Sequence, residues 1–185
     1  MDDQLISHII EQCKKGNSKA QVELYKKYYR SMYNVSFRIL NHSAEAEDAM
    51  QEAFLAAFRQ IESFRGEVSF GSWLKRIVIN RSIDQLRKKK MYLEDLSKLS
   101  NRADEEAVDF NEEVSVEMIK KAIANLPDNY RVVLSLFLLE GYDHDEIAEI
   151  LKISNGSSRI IYHRAKEKLK ISLKEMKMDK MKVEN

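Results

Sequence analysis

Glycine and proline are scarce, with five and one among 185 residues. A sheet-rich fold turns the chain often and draws on those two residues to do it, so a β-sandwich or barrel is excluded and an all-α fold is expected. Cysteine occurs once, at Cys13, so no intrachain disulfide can form. Its neighbours Leu5, Ile6, Ile9 and Ile10 trace one helical face, which marks the thiol as buried and inert. No apolar run approaches the ~20 residues that span a bilayer. Met1-Asp2-Asp3 is acidic where a secretory signal is basic, so no signal peptide is expected and the cytoplasm is the simplest address. The histidines (His8, His42, His144, His163) are scattered, and no P-loop, G-x-G-x-x-G, G-x-S-x-G or H-E-x-x-H pattern occurs. No catalytic site, metal, cofactor or small-molecule substrate is therefore expected.

Charge is present in quantity but is segregated. The net charge is +1, yet residues 1–90 carry +5, residues 91–117 carry −7 and residues 118–185 carry +3. Lys75 to Lys90 holds seven basic groups and one acid, and Ser157 to Lys182 holds nine against three. Two basic helical stretches on either side of an acidic linker suggest two contacts with a polyanion; solvated helix faces are the plain alternative.

Apolar spacing predicts a helix over 4–15 stopped by Gly16, and a longer one to about Leu40 opened by a capping box at Ser18-Lys19-Ala20-Gln21. Ser43 is expected to cap a third helix with Glu45, Glu47 and Asp48 in its first turns, where the helix dipole favours acids. That helix buries Ala46, Ala49, Met50, Ala53, Phe54, Ala57, Phe58 and Ile61 on one face. Gly66 and Gly71 interrupt the pattern, and a basic helix follows from about Ser72 to Lys89 with Trp73, Leu74, Ile77, Val78 and Leu86 inward. The acidic stretch is expected to be a mobile linker over 91–112, dividing a domain of residues 1–90 from one of 113–176, with a frayed basic tail over 177–185.

In the second domain a helix to Asn125, a turn at Pro127 and a helix over Tyr130–Leu139 closed by Gly141 lead to Asp143-His144-Asp145-Glu146. These four adjacent residues point in different directions on a helix, so they read as a capping box and not as a metal site. A break at Ser154-Asn155-Gly156 and a basic helix from Ser157 to Leu169 complete a helix-turn-helix. The second helix of such a motif lies in the major groove. Ser157, Ser158 and Arg159 would stand nearest bases and phosphates, with Tyr162, His163 and Lys166 one or two turns on.

These residues resemble a family. Leu126-Pro127-Asp128-Asn129-Tyr130-Arg131-Val132-Val133-Leu134, Glu140-Gly141, Glu146-Ile147-Ala148, Arg164-Ala165-Lys166 and Leu169 look like the promoter-binding C-terminal domain of bacterial sigma factors. Glu45 to Phe54 resembles the polymerase-binding helix of the same proteins. Phe64-Arg65-Gly66-Glu67, Phe70, Trp73-Leu74, Arg76-Ile77, Asn80, Asp84 and Leu86-Arg87 resemble their promoter-melting and recognition segment. The small two-domain plan is that of the extracytoplasmic-function class of the sigma-70 family. The resemblance spans about residues 20–90 and 113–170.

The resemblance implies a protein that joins core RNA polymerase, places it at promoter DNA and helps melt the duplex, under a dedicated anti-sigma factor. Phe64 and Phe70 would stack on unpaired bases, with folding of these loop aromatics onto the core as the alternative; Trp73 lies in the same segment and is better suited to packing inward. Asn80 has the donor and acceptor to read a base edge, while Arg76, Arg81, Arg87 and Lys88 would hold phosphates. Asp48, Gln51 and Glu52 would form an acidic dock for polymerase, with Phe54 in the same motif. Ile160-Ile161 depart from the family, which often has a small or polar pair there, so base contacts are not inherited at these positions and inward packing is the alternative. Asn155 and Ser157 also replace commoner residues. The acidic linker is either an internal decoy for the basic faces or an inert spacer. A helix-turn-helix regulator acting on operator DNA without polymerase would share the C-terminal half but leave Asp48-Gln51-Glu52 and Phe64–Asn80 without a role.

Overall fold

The computed structural model describes residues 3–94 and 115–183, with side chains over 5–89 and 115–178. Every regular element among the described residues is helical, as the shortage of turn residues predicts. The chain divides into two units, Met1–Leu93 and Glu94–Asn185. Of the acidic stretch expected over 91–112, residues 91–94 continue a helix and the rest lies outside the described residues.

The first unit holds α1 (Asp3–Lys14), α2 (Ser18–Leu40), α3 (Ser43–Arg59), a 3-10 turn (Ile61–Ser63) and α4 (Phe70–Glu94). Gly16 ends α1 at φ 77°, a conformation glycine takes without a Cβ clash. Two caps sit one residue earlier than the sequence suggests. Asn17, not Ser18, accepts from the backbone N–H groups of Lys19 and Ala20 at 3.0 and 3.3 Å. His42, not Ser43, has the extended backbone of an N-cap and accepts from the Glu45 N–H through Nδ1 at 3.5 Å. α4 begins at Phe70, two residues before the expected start.

α2 packs along α3. Ala46, Ala49, Ala53 and Ala57 give α3 a stripe of small side chains, each at most 1% exposed, which lets the helices approach closely. Leu24, Ile39, Leu74, Val78 and Ile79 fill the core. Ser36 of α2 and Ser82 of α4 meet inside it at 2.9 Å, and Ser82 also donates to the Val78 carbonyl at 2.8 Å, so neither buried hydroxyl is left without a partner. Lys89 reaches Glu45 at 2.7 Å, tying the basic end of α4 to the start of α3.

The second unit holds α5 (Val116–Ala124), α6 (Asp128–Leu134), a π-helical turn (Ser135–Leu139), α7 (His144–Leu151) and α8 (Asn155–Val183). Its core gathers Ala122, Ile123, Leu126, Leu134, Ala165, Leu169 and Leu173. Arg131 is buried within it, donating to the Leu126 carbonyl at 3.2 Å and pairing with Asp128 at 2.7 Å. One expectation needs correction here. The break between α7 and α8 falls at Lys152, which takes the left-handed conformation at φ 55°, while Asn155 and Gly156 already belong to α8. α8 runs 29 residues without interruption, so the backbone of the expected frayed tail is helical as far as Val183.

Candidate nucleic-acid interface

In the first unit the loop between the 3-10 turn and α4 leads into an aromatic cluster. Ser69 caps α4 by accepting from the Ser72 N–H at 3.1 Å. Phe64 meets Phe70 edge-on at 5.5 Å and Trp73 at 5.4 Å, and Phe70 touches Trp73 and Tyr28 of α2, both at 5.5 Å. A Cβ at Gly71 would stand 3.1 Å from the Tyr28 ring, so glycine permits this approach of α2 to α4. Phe70, expected to stack on a base, is only 3% exposed and forms the floor of the cluster. Phe64 and Trp73 are half-buried and present the outer edges.

Further along α4, Asn80, Arg81 and Lys88 are exposed, and Arg76 and Arg87 are half-buried, the latter 3.7 Å from Asp84. Arg81 and Lys88 face α3 across a groove of about 320 Å³ lined by Asp48, Gln51, Glu52 and Leu55 on one side and Arg81, Asp84, Gln85 and Lys88 on the other. Residues that sequence reasoning divided between polymerase and phosphate thus share one groove. Phe54 does not reach it. This ring is 2% exposed, packed on Tyr25 at 4.8 Å and Phe58 at 6.0 Å, and supports α3 from behind. Leu55, 56% exposed at the groove, went unremarked in sequence because its neighbours are apolar core residues. A second groove of about 530 Å³ between α2 and α3 is lined by Tyr25, Tyr29, Tyr33, Lys26, Glu47 and Met50. Its sequence signal was present in the i, i+4 spacing of the tyrosines.

In the second unit Asp143 caps α7, accepting from the N–H groups of Asp145 and Glu146 at 2.9 and 2.8 Å, while Glu146 accepts from the Asp143 N–H at 2.9 Å. The expected capping box is complete, and no group of metal-ligating side chains forms among the described residues. Ser154 caps α8, accepting from the Ser157 N–H at 3.0 Å. His144 Nδ1 lies 2.9 Å from the Ser158 hydroxyl, and its ring packs on Phe137 at 4.9 Å and Tyr162 at 5.4 Å. Burial raises the Tyr162 hydroxyl pKa above its ordinary value.

The outward face of α8 therefore differs from the one expected. Ser158, grouped with the base-facing residues on sequence, is fully buried, because its hydroxyl is the partner of His144. Tyr162 is half-buried in the same contact, with Lys166 over its ring at 5.7 Å, and Ser157 is half-buried beside its cap. Arg159, His163 and Lys166 are exposed. Ile161 is half-buried, but Ile160 points out at 55% exposure, against the inward packing considered for the pair. Arg159 donates from Nε to Asn155 Oδ1 at 2.7 Å, and Asn155 donates in turn to Asp145 Oδ1 at 2.6 Å.

The sigma-70 region 2 family model matches residues 24–91, and the sigma-70 region 4 model matches residues 116–169. The ECF RNA polymerase sigma factor SigW of Bacillus subtilis is 34% identical over 186 residues, covering 94% of this chain and 100% of SigW. The ECF RNA polymerase sigma-E factor of Haemophilus influenzae is 30% identical over 86% of this chain and 90% of its own length. Two solved structures share the fold at 20% identity. They are the sigma factor RpoE in complex with the anti-sigma factor NepR from Bartonella quintana, with TM-score 0.57 over 82% of this chain and 95% of that one, and CnrH in complex with the cytosolic domain of CnrY, with TM-score 0.53 over 90% and 95%.

Proposed function

Because the chain belongs to the ECF RNA polymerase sigma factors of the sigma-70 family, we propose that it works as one, each of its two units taking a separate part of promoter recognition. It binds core RNA polymerase and directs it to promoters. The observation that carries this is the presence of both sigma regions, in order, at residues 24–91 and 116–169. An operator-binding regulator would need only the second unit.

Within that reading, the α3–α4 groove is the polymerase dock, with Asp48, Gln51 and Glu52 on one wall. Arg81 and Lys88 on the other wall face these acids, so they are less available to DNA phosphate than their positions in sequence suggest. Phe64 and Trp73 offer the aromatic edges on which an unpaired base can stack, at about 1–3 kcal/mol per base. Asn80, Arg76 and Arg87 line the strand that leads there. In the second unit Arg159, Ile160, His163 and Lys166 face the major groove of the upstream element. The protein acts as an initiation factor and not as an enzyme, in the cytoplasm with the chromosome, and a protein of the anti-sigma class restrains it.

Equilibrium titration of the labelled chain with core polymerase tests the reading. A saturable complex that acquires sequence-specific DNA binding only once core is present supports it. Specific binding of the free chain to duplex DNA, with no affinity for core, would replace it with the operator-binding alternative.

A further inference from the structure

Three side chains from two helices form a short chain of hydrogen bonds across the helix-turn-helix. Asp145, in the first turn of α7, accepts from the Asn155 amide at 2.6 Å, and Asn155, the first residue of α8, accepts from Arg159 Nε at 2.7 Å. The two partners fix the orientation of the amide, because a flipped Asn155 would set a donor against Arg159 and an acceptor against Asp145. Both bonds are charge-assisted, which makes them shorter and stronger than neutral ones.

We propose that Asn155, held by Asp145, is the positioning residue that presets Arg159 to read one base pair of the upstream promoter element. This rests on the sigma reading above. Of the five N–H groups of the guanidinium, Asn155 engages only the one on Nε. The two terminal nitrogens keep the parallel pair of donors that matches O6 and N7 of guanine in the major groove, the commonest specific arginine contact. An unrestrained arginine surrenders rotamer freedom when it docks, whereas one already held on a neighbouring turn loses less. The neutral amide also stands between Arg159 and the Asp145 carboxylate, so the guanidinium is oriented without being neutralised by a direct ion pair. Asp145 lies on the first helix of the motif, so the reading side chain is referenced to both helices and not to α8 alone. Arg159 is exposed, as the contact requires.

The test uses holoenzyme assembled from the full chain and core polymerase, with duplexes randomised through the upstream element, enriched by binding and sequenced. Arg159→Ala should abolish preference at one base pair and so identify it. Asn155→Ala should reduce discrimination at that same base pair by roughly 3- to 10-fold, the usual cost of ordering one long side chain. Discrimination elsewhere and the salt dependence of binding should stay as they are, because no phosphate contact is lost. Asp145→Ala should reproduce part of the loss, and Asp145→Asn, which keeps an acceptor for Asn155, should restore it. Unchanged discrimination in Asn155→Ala, or an equal loss at every position, would overturn the proposal, and so would an Arg159→Ala variant with intact base preferences. A wild-type holoenzyme that enriches no element would instead remove the sigma reading itself.

Discussion

Phe64 and Phe70 touch at 5.5 Å, yet they differ in burial, and alanine substitutions should separate their roles. Phe70 is 3% exposed against Phe64, Trp73 and Tyr28. Its removal takes away a whole buried ring, and phenylalanine-to-alanine changes in cores cost about 3–5 kcal/mol. A unit of this size loses about 4–8 °C of melting temperature per kcal/mol, so Phe70→Ala should melt at least ~12 °C lower than the parent. Phe64 is half-buried, and its loss should cost roughly 1 kcal/mol, or about 4–8 °C. Trp73 is the single tryptophan of the chain and lies 5.4 and 5.5 Å from the two rings, so its fluorescence reports the melting of this unit without added labels. In promoter opening the order should reverse. At a temperature where both variants are folded, Phe64→Ala should slow strand separation, read by permanganate reactivity of unpaired thymines, by the equivalent of about 1–3 kcal/mol of lost stacking. A Phe70→Ala variant that melts within ~4 °C of the parent but fails to open DNA would refute the reasoning, since its ring would then be serving the base and not the core.

Asp48→Ala with Glu52→Ala should weaken binding to core polymerase at least ~10-fold, while the melting temperature barely moves, because exposed substitutions usually stay within about 0.5 kcal/mol; titration against core and Trp73 fluorescence measure the two. Ser82→Ala leaves the buried Ser36 hydroxyl without its partner and should cost about 1–3 kcal/mol in denaturant unfolding. Burial, and after it the negative charge of Glu23, push the Cys13 thiol up to about 11, so the folded protein should resist thiol reagents at neutral pH. The sign of the linked stability follows: the unfolded thiol ionises near its ordinary value of 9.0 while the folded one stays protonated, so this residue's contribution falls as pH rises from about 9 to about 11. Ile160 is 55% exposed on the side of α8 proposed to face the major groove, where it would suit a thymine methyl; replacing thymine by uracil in the upstream element should weaken wild-type holoenzyme about 3- to 4-fold at one position and leave Ile160→Ala unaffected.

The sequence exposed what depends on local signals. The capping box at Asp143 and Glu146, the stop at Gly16 and the alanine stripe of α3 were all readable, because each is written within a single helix or its cap. Caps shifted by one residue where two adjacent side chains could each accept a hydrogen bond, as at Asn17-Ser18 and His42-Ser43, and only the backbone path chose between them. Lys152 in the left-handed conformation was hidden because Gly156, the residue suited to it, lies four positions on. Ser158 misled for a different reason. The inward positions 158, 165, 169 and 173 follow helical spacing, but a serine among them looks like surface until His144, 14 residues away, is seen to be its partner. The α3–α4 groove joins residues 26 to 40 positions apart, through a register that the buried core sets.

The most direct test of the central claim is transcription from sheared genomic DNA by core polymerase, with and without this chain, followed by sequencing of the new 5′ ends. The account predicts discrete starts that depend on the chain, share a two-part upstream motif, and lose their preference at one base pair of its upstream part when Arg159 is replaced by alanine. Starts that are identical with and without the chain would contradict it.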